Sequence, residues 1–325
     1  MPIQTTTEDK LMKRIVVLNE RVWEYRAPRE HINQWLENFT GKVTDPATER
    51  LHALFWLSQF MYFGSREIRV LLKSLYRDLF LCPVIQEIKQ NFPTATEEQL
   101  LKKIQEELDS TKFLGMGNPS ESGVHLLYYF RQENNLRKID FLDSVEMFKR
   151  NQSGVAEIAN KNIKRYIFLD DICGSGETAI KYSNAVLGEL LKLNPNAQVA
   201  YYSLFGTVKG LDYVRNHTHF GKNALAVYEL DSSYLCLDRK SRYLKNTGYP
   251  DIDPQIAQRI AIKYGFLLNP MYAFGYKCSQ MLLGFHHNTP DNTINIMWHD
   301  NVTHGGNHNW IPIFKRYPKI LGGTP

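Results

Sequence analysis

The chain has 325 residues, a formal net charge of +5, 43% hydrophobic residues and 22% charged residues. This composition is typical of a globular protein that is long enough to bury a core without disulfides or structural metals. This modest positive charge would favour binding of polyphosphates or RNA without establishing either, and the lysines and arginines are scattered along the sequence.

Four widely spaced cysteines form no CxxC pair: Cys82, Cys173, Cys236 and Cys278. Their spacing indicates neither a disulfide framework nor a cysteine zinc site. Residues 1–20 lack the apolar core of a signal peptide, and no run reaches the roughly 20 apolar residues that a membrane span requires. We therefore expect a cytoplasmic protein that does not insert into membranes.

The first third of the sequence predicts helices and no convincing strand. Apolar residues recur at three- and four-residue intervals over residues 51–62, and Thr94 or Thr96 is predicted to begin a later helix. We place a helical domain over residues 1–110. It is either a winged-helix-like nucleic-acid binder or a partner-binding bundle, and the alternating charge signs favour the bundle.

From about residue 111 the pattern alternates between strands and helices. The predicted strands cover residues 112–114, 165–169, 199–204, 224–230 and 280–285. This alternation is typical of an α/β fold with a largely parallel sheet flanked by helices. We assign this second domain to residues 111–325.

The most informative segment is YIFLDDICGSGETA, residues 166–179. Its apolar start predicts a buried strand that ends at Asp170 and Asp171, where open α/β sheets bind their ligands. Gly174 and Gly176 allow positive φ and a close backbone approach, and a helix is predicted to follow. The turn amides favour a phosphate, and the carboxylates favour vicinal hydroxyls or a hydrated Mg²⁺. Together they predict a ribose 5-phosphate site.

Other interpretations of this segment are weaker. An ordinary strand, turn and helix with exposed acids is one alternative. The lack of a GxxxxGK[ST] sequence argues against a P-loop NTPase, and residues 174–176 do not form the GxSxG of a nucleophile elbow. Cys173 has no adjacent histidine to activate it, so we interpret it as a packed turn residue.

The sequence LDDICGSGETA, residues 169–179, resembles the binding motif for 5-phosphoribosyl-1-pyrophosphate (PRPP) in type I phosphoribosyltransferases. By that resemblance, Asp170 and Asp171 are the catalytic residues, contact the ribose hydroxyls and hold Mg²⁺ indirectly. The resemblance assigns the 5-phosphate to Gly174, Ser175, Gly176, Glu177 and Thr178. Gly174 stands where several purine enzymes carry an acid that handles the base proton, so the acceptor is not fixed by the motif.

Other segments resemble the PRTase-CE group, which comprises phosphoribosyltransferase-like proteins of bacterial conflict systems. The resemblance lies in residues 35–63, 115–123, 285–293, 296–298 and 310–314 and covers most of residues 30–316. It implies a type I phosphoribosyltransferase-like fold and an Mg²⁺-dependent effector of antiphage defence that acts on a nucleotide, base or RNA. Some members are encoded beside reverse transcriptases, which implies a protein partner for the N-terminal helices.

A second glycine-rich loop, residues 115–123, follows the first predicted strand. By analogy with type I enzymes, it would bind pyrophosphate through the residues Gly117, Ser120, Ser122 and Arg131. A plain turn with a helix N-cap is equally consistent with the sequence of the loop, and an arginine in this position is more often a solvated surface charge. Residues 148–154 are expected to form the loop that closes over the sugar.

A polar turn near the C-terminus is a candidate contact for the acceptor. Its side chains Asn288, Thr289 and Asn292 could bind the edge of a base, and Asp231 at the end of another predicted strand could orient the acceptor. The alternative is structural, with these side chains bonded to nearby backbone. The histidines at positions 286, 287, 299, 304 and 308 match no zinc spacing.

Two functions are therefore consistent with the sequence. The first is a Mg²⁺-dependent phosphoribosyltransferase, a member of the glycosyltransferase class, that uses PRPP or a related nucleotide. The second is a catalytically inactive nucleotide sensor that signals to a partner protein or nucleic acid through its helical half. Because function resides in the site rather than in the fold, the fold alone does not decide between them.

Overall fold

The computed structural model describes residues 5–117, 122–300 and 309–317. The α-helices are α1 (Thr7–Arg21), α2 (Arg29–Leu36), α3 (Pro46–Ser58), α4 (Ser65–Ser74), α5 (Cys82–Asn91), α6 (Glu97–Asp109), α7 (Ser122–Glu133), α8 (Glu177–Tyr182), α9 (Gly188–Leu193), α10 (Val208–His217) and α11 (Pro254–Leu268). The strands are β1 (Met61–Phe63), β2 (Thr111–Gly115), β3 (Phe148–Arg150), β4 (Ala156–Ile158), β5 (Arg165–Cys173), β6 (Gln198–Thr207), β7 (Ala224–Leu230) and β8 (Leu283–Phe285). Two π-helical segments, Leu75–Leu81 and Ser183–Leu187, join neighbouring helices.

The chain divides into two compact units. One comprises Met1–Ile68 together with Asp231–Pro325, and the other comprises Arg69–Leu230. We call them the split unit and the sheet unit. This division differs from the boundary expected at residue 110, because residues 69–110 pack with the sheet, whereas the segment after β7 packs with the N-terminal helices.

The sheet unit is built on four parallel strands in the order β2-β5-β6-β7. Helices cover both of its faces. On one face, Tyr166 and Phe168 are buried in a cluster with Leu187 and Leu211. On the other face lies an aromatic cluster, in which the ring centroids of Phe113 and Phe130 are 5.0 Å apart. The predicted α/β fold class, a largely parallel sheet flanked by helices, is confirmed.

Strand β5 is longer than the sequence predicted. Its pairing with β2 ends at Leu169, opposite Gly115, but its pairing with β6 continues to Cys173, opposite Gly206. Asp170 and Asp171 therefore lie inside β5, on a stretch that is paired only on the β6 side of this sheet. The additional backbone hydrogen bonds to β6 explain why the strand does not stop at the first acid.

The split unit contains a strand that the sequence did not predict. The apolar pattern over residues 51–62 predicted helix, but α3 ends at Ser58 and β1 pairs in parallel with β8. The expectation of no strand in the first third of the chain was therefore wrong. The backbone extends here because pairing with β8 satisfies its amides, and such a partner is invisible to local periodicity.

The core of the split unit is rich in tryptophan. Trp35 and Trp56 are fully buried, and their indole N–H groups donate to the carbonyls of Ile296 and Ala257 at 3.0 and 2.9 Å. These bonds join the N-terminal helices to the segment that follows β7. Within the described residues, no helix combines the length and the apolar character needed to cross a membrane.

Candidate functional site

The paired acids of β5 are buried and held by hydrogen bonds. Asp170 and Asp171 are 9% and 7% exposed. Successive strand side chains point to opposite faces, so Asp170 shares the face of Phe168, and Asp171 shares the face of Leu169. The two carboxylates are therefore not equivalent, although the motif presents them as a pair.

Asp170 is tied to the neighbouring strand. Its Oδ2 accepts a hydrogen bond from the Tyr201 hydroxyl at 2.9 Å, and its Oδ1 accepts one from the Asp171 amide at 2.9 Å. Burial, together with the charge of Asp170, raises the pKa of Tyr201 well above its usual value of 10.0. The tyrosine therefore stays protonated and remains a donor, which stabilises a carboxylate that would otherwise be costly to bury.

Cys173 is 2% exposed at the end of β5. Burial and then the charge of Asp170 raise the pKa of its thiol from 9.0 to about 12. A thiolate is the reactive form of cysteine, and it is suppressed here at neutral pH. This agrees with its interpretation as a packed residue.

The turn after β5 is held against the start of α10. Gly176 has φ of 80° and caps α8, a conformation that favours glycine. The Thr207 hydroxyl donates to the Gly174 carbonyl at 2.6 Å and accepts from the Gly210 amide at 2.8 Å. A Cβ on Gly210 would overlap that carbonyl oxygen. The turn is therefore fixed by close backbone contact.

The hydroxyls of this turn differ in their contacts. Ser175 Oγ accepts a hydrogen bond of 3.4 Å from the Glu177 amide. Thr178 is exposed in the first turn of α8, and its hydroxyl makes no hydrogen bond with another described residue. An exposed hydroxyl beside helix N-terminal amides is suited to an anion.

The second glycine-rich loop approaches β5 just before the acids. Gly117 has φ of 92°, and a Cβ on Gly123 would lie 2.6 Å from the Met116 carbonyl oxygen and 2.8 Å from that of Leu169. The start of α7 is thus packed onto the strand that carries Asp170. Ser120 and the side chain of Ser122 lie outside the described residues.

Arg131 lies towards the far end of the helix that follows this loop. It lies in the last turn of α7, nine residues after Ser122, which corresponds to about 13 Å along the helix axis. Its guanidinium is 6.0 Å from the centre of the Tyr128 ring. A contact between Arg131 and pyrophosphate therefore stays a prediction.

Residues 148–154, expected to close over the sugar, belong to a β-hairpin. Strands β3 and β4 pair antiparallel. Asn151 organises the connecting turn, because its Oδ1 accepts from the amides of Ser153 and Val155, each at 3.0 Å. The hairpin is exposed and carries two basic side chains, Lys149 and Arg150.

The polar turn after β8 belongs to the split unit, where its side chains bond to the chain itself. Asn288 donates to the Tyr317 carbonyl at 3.1 Å and accepts from the Tyr317 amide at 2.9 Å. Thr289 is 2% exposed and donates to the Phe314 carbonyl at 3.4 Å, and Asn292 donates to Ser279 Oγ at 3.2 Å. These contacts are those of the structural alternative.

Asp231 begins the returning segment of the split unit and caps a short turn. Its Oδ1 accepts from the Ser233 amide at 2.9 Å and the Ser233 hydroxyl at 2.6 Å. These bonds lower the pKa of its carboxyl group. Asp231 therefore makes the local bonds that the structural alternative expects.

No group of three or more His, Cys, Asp or Glu side chains able to hold a metal ion occurs among the described residues. His304 and His308 lie outside that part of the chain. Two carboxylates alone suit a cation such as Mg²⁺ that takes its remaining ligands from a substrate and water. Because the side chains of Asp170 and Asp171 lie on opposite faces of β5, they do not form a joint pair of ligands, and Asp171 is the carboxylate that can share such an ion with a substrate and water.

Three residues that organise the site were missed from the sequence: Tyr201, Thr207 and Gly210. From the sequence alone, Tyr201 is simply one aromatic residue in a predicted buried strand. The other two carry a weak signal, because a threonine three residues before a glycine at a strand end can cap a helix. That signal does not reveal the contact with Gly174.

The chain is similar to one protein family in sequence and to a solved structure. The sequence model of the PRTase-CE family matches residues 32–316. No curated protein matches the chain. One solved structure similar to it is the xanthine-guanine-hypoxanthine phosphoribosyltransferase of Helicobacter pylori, with 13% identity, a TM-score of 0.26, and coverage of 53% of this chain and 89% of that one. Because the family match spans most of the chain, including both glycine-rich loops and the paired acids, this protein belongs to the PRTase-CE family.

Proposed function

We propose that this protein is an Mg²⁺-dependent phosphoribosyltransferase-like effector of bacterial antiphage defence. It binds PRPP or a related ribose phosphate and transfers the phosphoribosyl group to a nucleotide, base or RNA. The observation that carries the proposal is the turn of residues 174–178, which joins buried carboxylates to an exposed hydroxyl at the start of a helix. The defence role is supported by the family resemblance.

In the proposed reaction, an acceptor nucleophile attacks C1 of the ribose while the bond from C1 to the pyrophosphate oxygen breaks. The bonding electrons leave with pyrophosphate, and the sugar passes through an oxocarbenium-like state. Amides at the start of α8 and the Thr178 hydroxyl bind the 5-phosphate. Gly117 and its neighbours receive the pyrophosphate by the same use of backbone amides.

The acids have separate roles because they lie on opposite faces of β5. Asp171 accepts a hydrogen bond from the Ile172 amide at 2.8 Å and is the acid that we assign to the ribose hydroxyls. Asp170 is anchored to Tyr201 and contributes negative charge beside the developing positive charge at C1. When bound, Mg²⁺ would balance the charge on the leaving pyrophosphate, and Asp171 is the carboxylate that would hold it.

A specific observation keeps the nucleotide-sensor alternative. Gly174 offers no side chain for handling the proton of a purine base, and its carbonyl is occupied by Thr207. A sensor would retain the phosphate-binding turn without needing an acceptor. In that case the helices of the split unit are the proposed contact for a partner protein or nucleic acid.

A pyrophosphate-release assay tests the proposal. Purified protein is incubated with PRPP and Mg²⁺ against bases, nucleotides and RNA, alongside the Asp171→Asn variant and an Asp231→Asn control. We expect release that depends on one acceptor class and falls by at least about 100-fold in Asp171→Asn. Asp231→Asn should retain it. Binding of PRPP without release by any acceptor would favour the sensor.

A further inference from the structure

A cationic groove runs along α11 in the split unit, outside the residues that bear the proposed chemistry. One cavity, of 550 Å³, is lined by Lys42, Val43, Arg259, Ile262, Lys263 and Phe266. A second cavity, of 580 Å³, shares Lys42 and Lys263 with the first and continues past Trp310. We call these two adjoining cavities the α11 groove.

The cations of the groove are available to a ligand. Lys42, Arg259 and Lys263 are exposed, and none of their side chains makes a hydrogen bond or ion pair with another described residue. No acid lines the first cavity, and Glu37 is the single acid that lines the second among the described residues. The groove therefore presents positive charge to solvent and attracts anions.

The groove is preorganised by a buried carboxylate beneath it. Glu49 is fully buried and accepts hydrogen bonds from the amides of Gly41 and Val43 at 2.7 and 2.6 Å. It also accepts a hydrogen bond from the Tyr264 hydroxyl of α11. The backbone on each side of Lys42 is thus fastened to α11, so the lysine is placed beside the cations of the helix.

Apolar and aromatic surface lies between these charges. Phe266 is 45% exposed and is held edge-on against Phe274, with ring centroids 5.7 Å apart. Ile262 and Val43 line the same cavity. Alternation of cations with an exposed aromatic ring matches the way single-stranded polynucleotides are bound, with phosphates on the cations and bases on the rings.

We propose that the α11 groove binds single-stranded nucleic acid. Its phosphates contact Lys42, Arg259 and Lys263, and one base stacks on Phe266. An acidic peptide would use the same cations, but its side chains would leave the exposed ring without a stacking partner. The proposal is independent of phosphoribosyl transfer because every groove residue lies outside Arg69–Leu230.

The test uses fluorescence anisotropy with the full chain and labelled oligouridylate of about 20 nucleotides, with DNA of the same length and a duplex as further probes. For three phosphate contacts, a plot of log affinity against log salt should have a slope of about −2. The double variant Arg259→Glu/Lys263→Glu should bind at least 10-fold more weakly at low salt. Its slope should be about −0.7, as expected when one phosphate contact remains. Phe266→Ala should weaken it about 5-fold or more with the slope unchanged.

The matched control replaces Lys10 and Lys13 with glutamate. Both are exposed lysines of α1 in the same unit. The control changes the net charge equally and should leave binding within about twofold of wild type, since a nonspecific effect would follow net charge alone. The relative affinities for RNA and DNA then identify the natural ligand class. Lack of binding by the wild type, equal loss in the control, or tighter binding of an oligoglutamate peptide would overturn the proposal.

Discussion

The turns after β5 and β8 both carry candidate polar side chains, but they are held in place by opposite means. Both follow apolar strands and combine small and polar residues. After β5, the backbone is fastened through Thr207 to the Gly174 carbonyl, and the Thr178 hydroxyl is left to solvent. After β8, Asn288 and Thr289 bond to the chain's own backbone. A turn whose backbone is fixed by packing keeps its side chains for a ligand, whereas a turn fixed by its side chains does not.

The largest expected effect comes from the close contact beneath the turn after β5. Gly210→Ala places a methyl group against the Gly174 carbonyl, so we expect a loss of about 3 kcal/mol in the free energy of unfolding. Gly188→Ala is the matched control, because nothing lies within 4 Å of its added methyl group. It should stabilise the helix by about 0.5–1 kcal/mol. Urea denaturation measures both, and equal effects would refute the packed turn.

The next effect concerns the donor to Asp170. Tyr201→Phe removes the hydrogen bond to a buried carboxylate and should cost about 2 kcal/mol of stability. Tyr166→Phe on the adjacent strand is the control, because its buried hydroxyl has no hydrogen-bond partner in the described structure. That change should be neutral or slightly stabilising. If the two variants unfold alike, Tyr201 does not support Asp170.

Alkaline pH gives a third test of the burial around the site. The thiol of Cys173 has a pKa raised from 9.0 in the unfolded chain to about 12 in the fold, so its protonated form is favoured by folding. The resulting stability is present below pH 9 and is lost as pH rises towards 12. Between pH 9 and 12, the unfolding free energy of Cys173→Ala should decrease less steeply than that of the wild type, by up to about 1.4 kcal/mol per pH unit. Identical slopes would show that the thiol is not buried.

The smallest effects separate the two turns most directly. Asn288→Ala should lower the unfolding free energy by about 1 kcal/mol, because it removes two bonds to Tyr317, and should leave PRPP affinity unchanged. Thr178→Val should do the opposite, with stability unchanged and PRPP affinity reduced by roughly 5- to 10-fold. Chemical denaturation and calorimetry on the same samples measure both quantities. A swapped pattern would reverse the roles assigned to the turns.

Much of the sheet unit could be predicted from sequence because its signals are local. The apolar runs at residues 165–169 and 224–230 gave strands, and Thr96 caps α6 as expected. The prediction for residues 51–62 was wrong at β1, because that strand depends on a partner more than 200 residues away. Long-range pairing leaves no periodic trace in a short segment.

The residues proposed for the site could be named from the sequence, but the contacts that support them could not. The glycine-rich turn and the two acids could be predicted because their chemistry depends on residue type and spacing. The bond from Tyr201 to Asp170 could not, because it joins positions 31 residues apart on two strands. The internal bonding of Asn288 was also undecided, since asparagine suits a ligand and a backbone partner equally well.

The most direct test of the central claim is calorimetric titration of the full chain with PRPP in the presence of Mg²⁺. We expect saturable binding by the wild type and by the Asp231→Asn control, and a loss of at least about 10-fold in Asp171→Asn, whose carboxylate is assigned to the ribose hydroxyls. No binding by the wild type, or equal affinity in Asp171→Asn, would contradict the assignment of a ribose-phosphate site to the turn after β5.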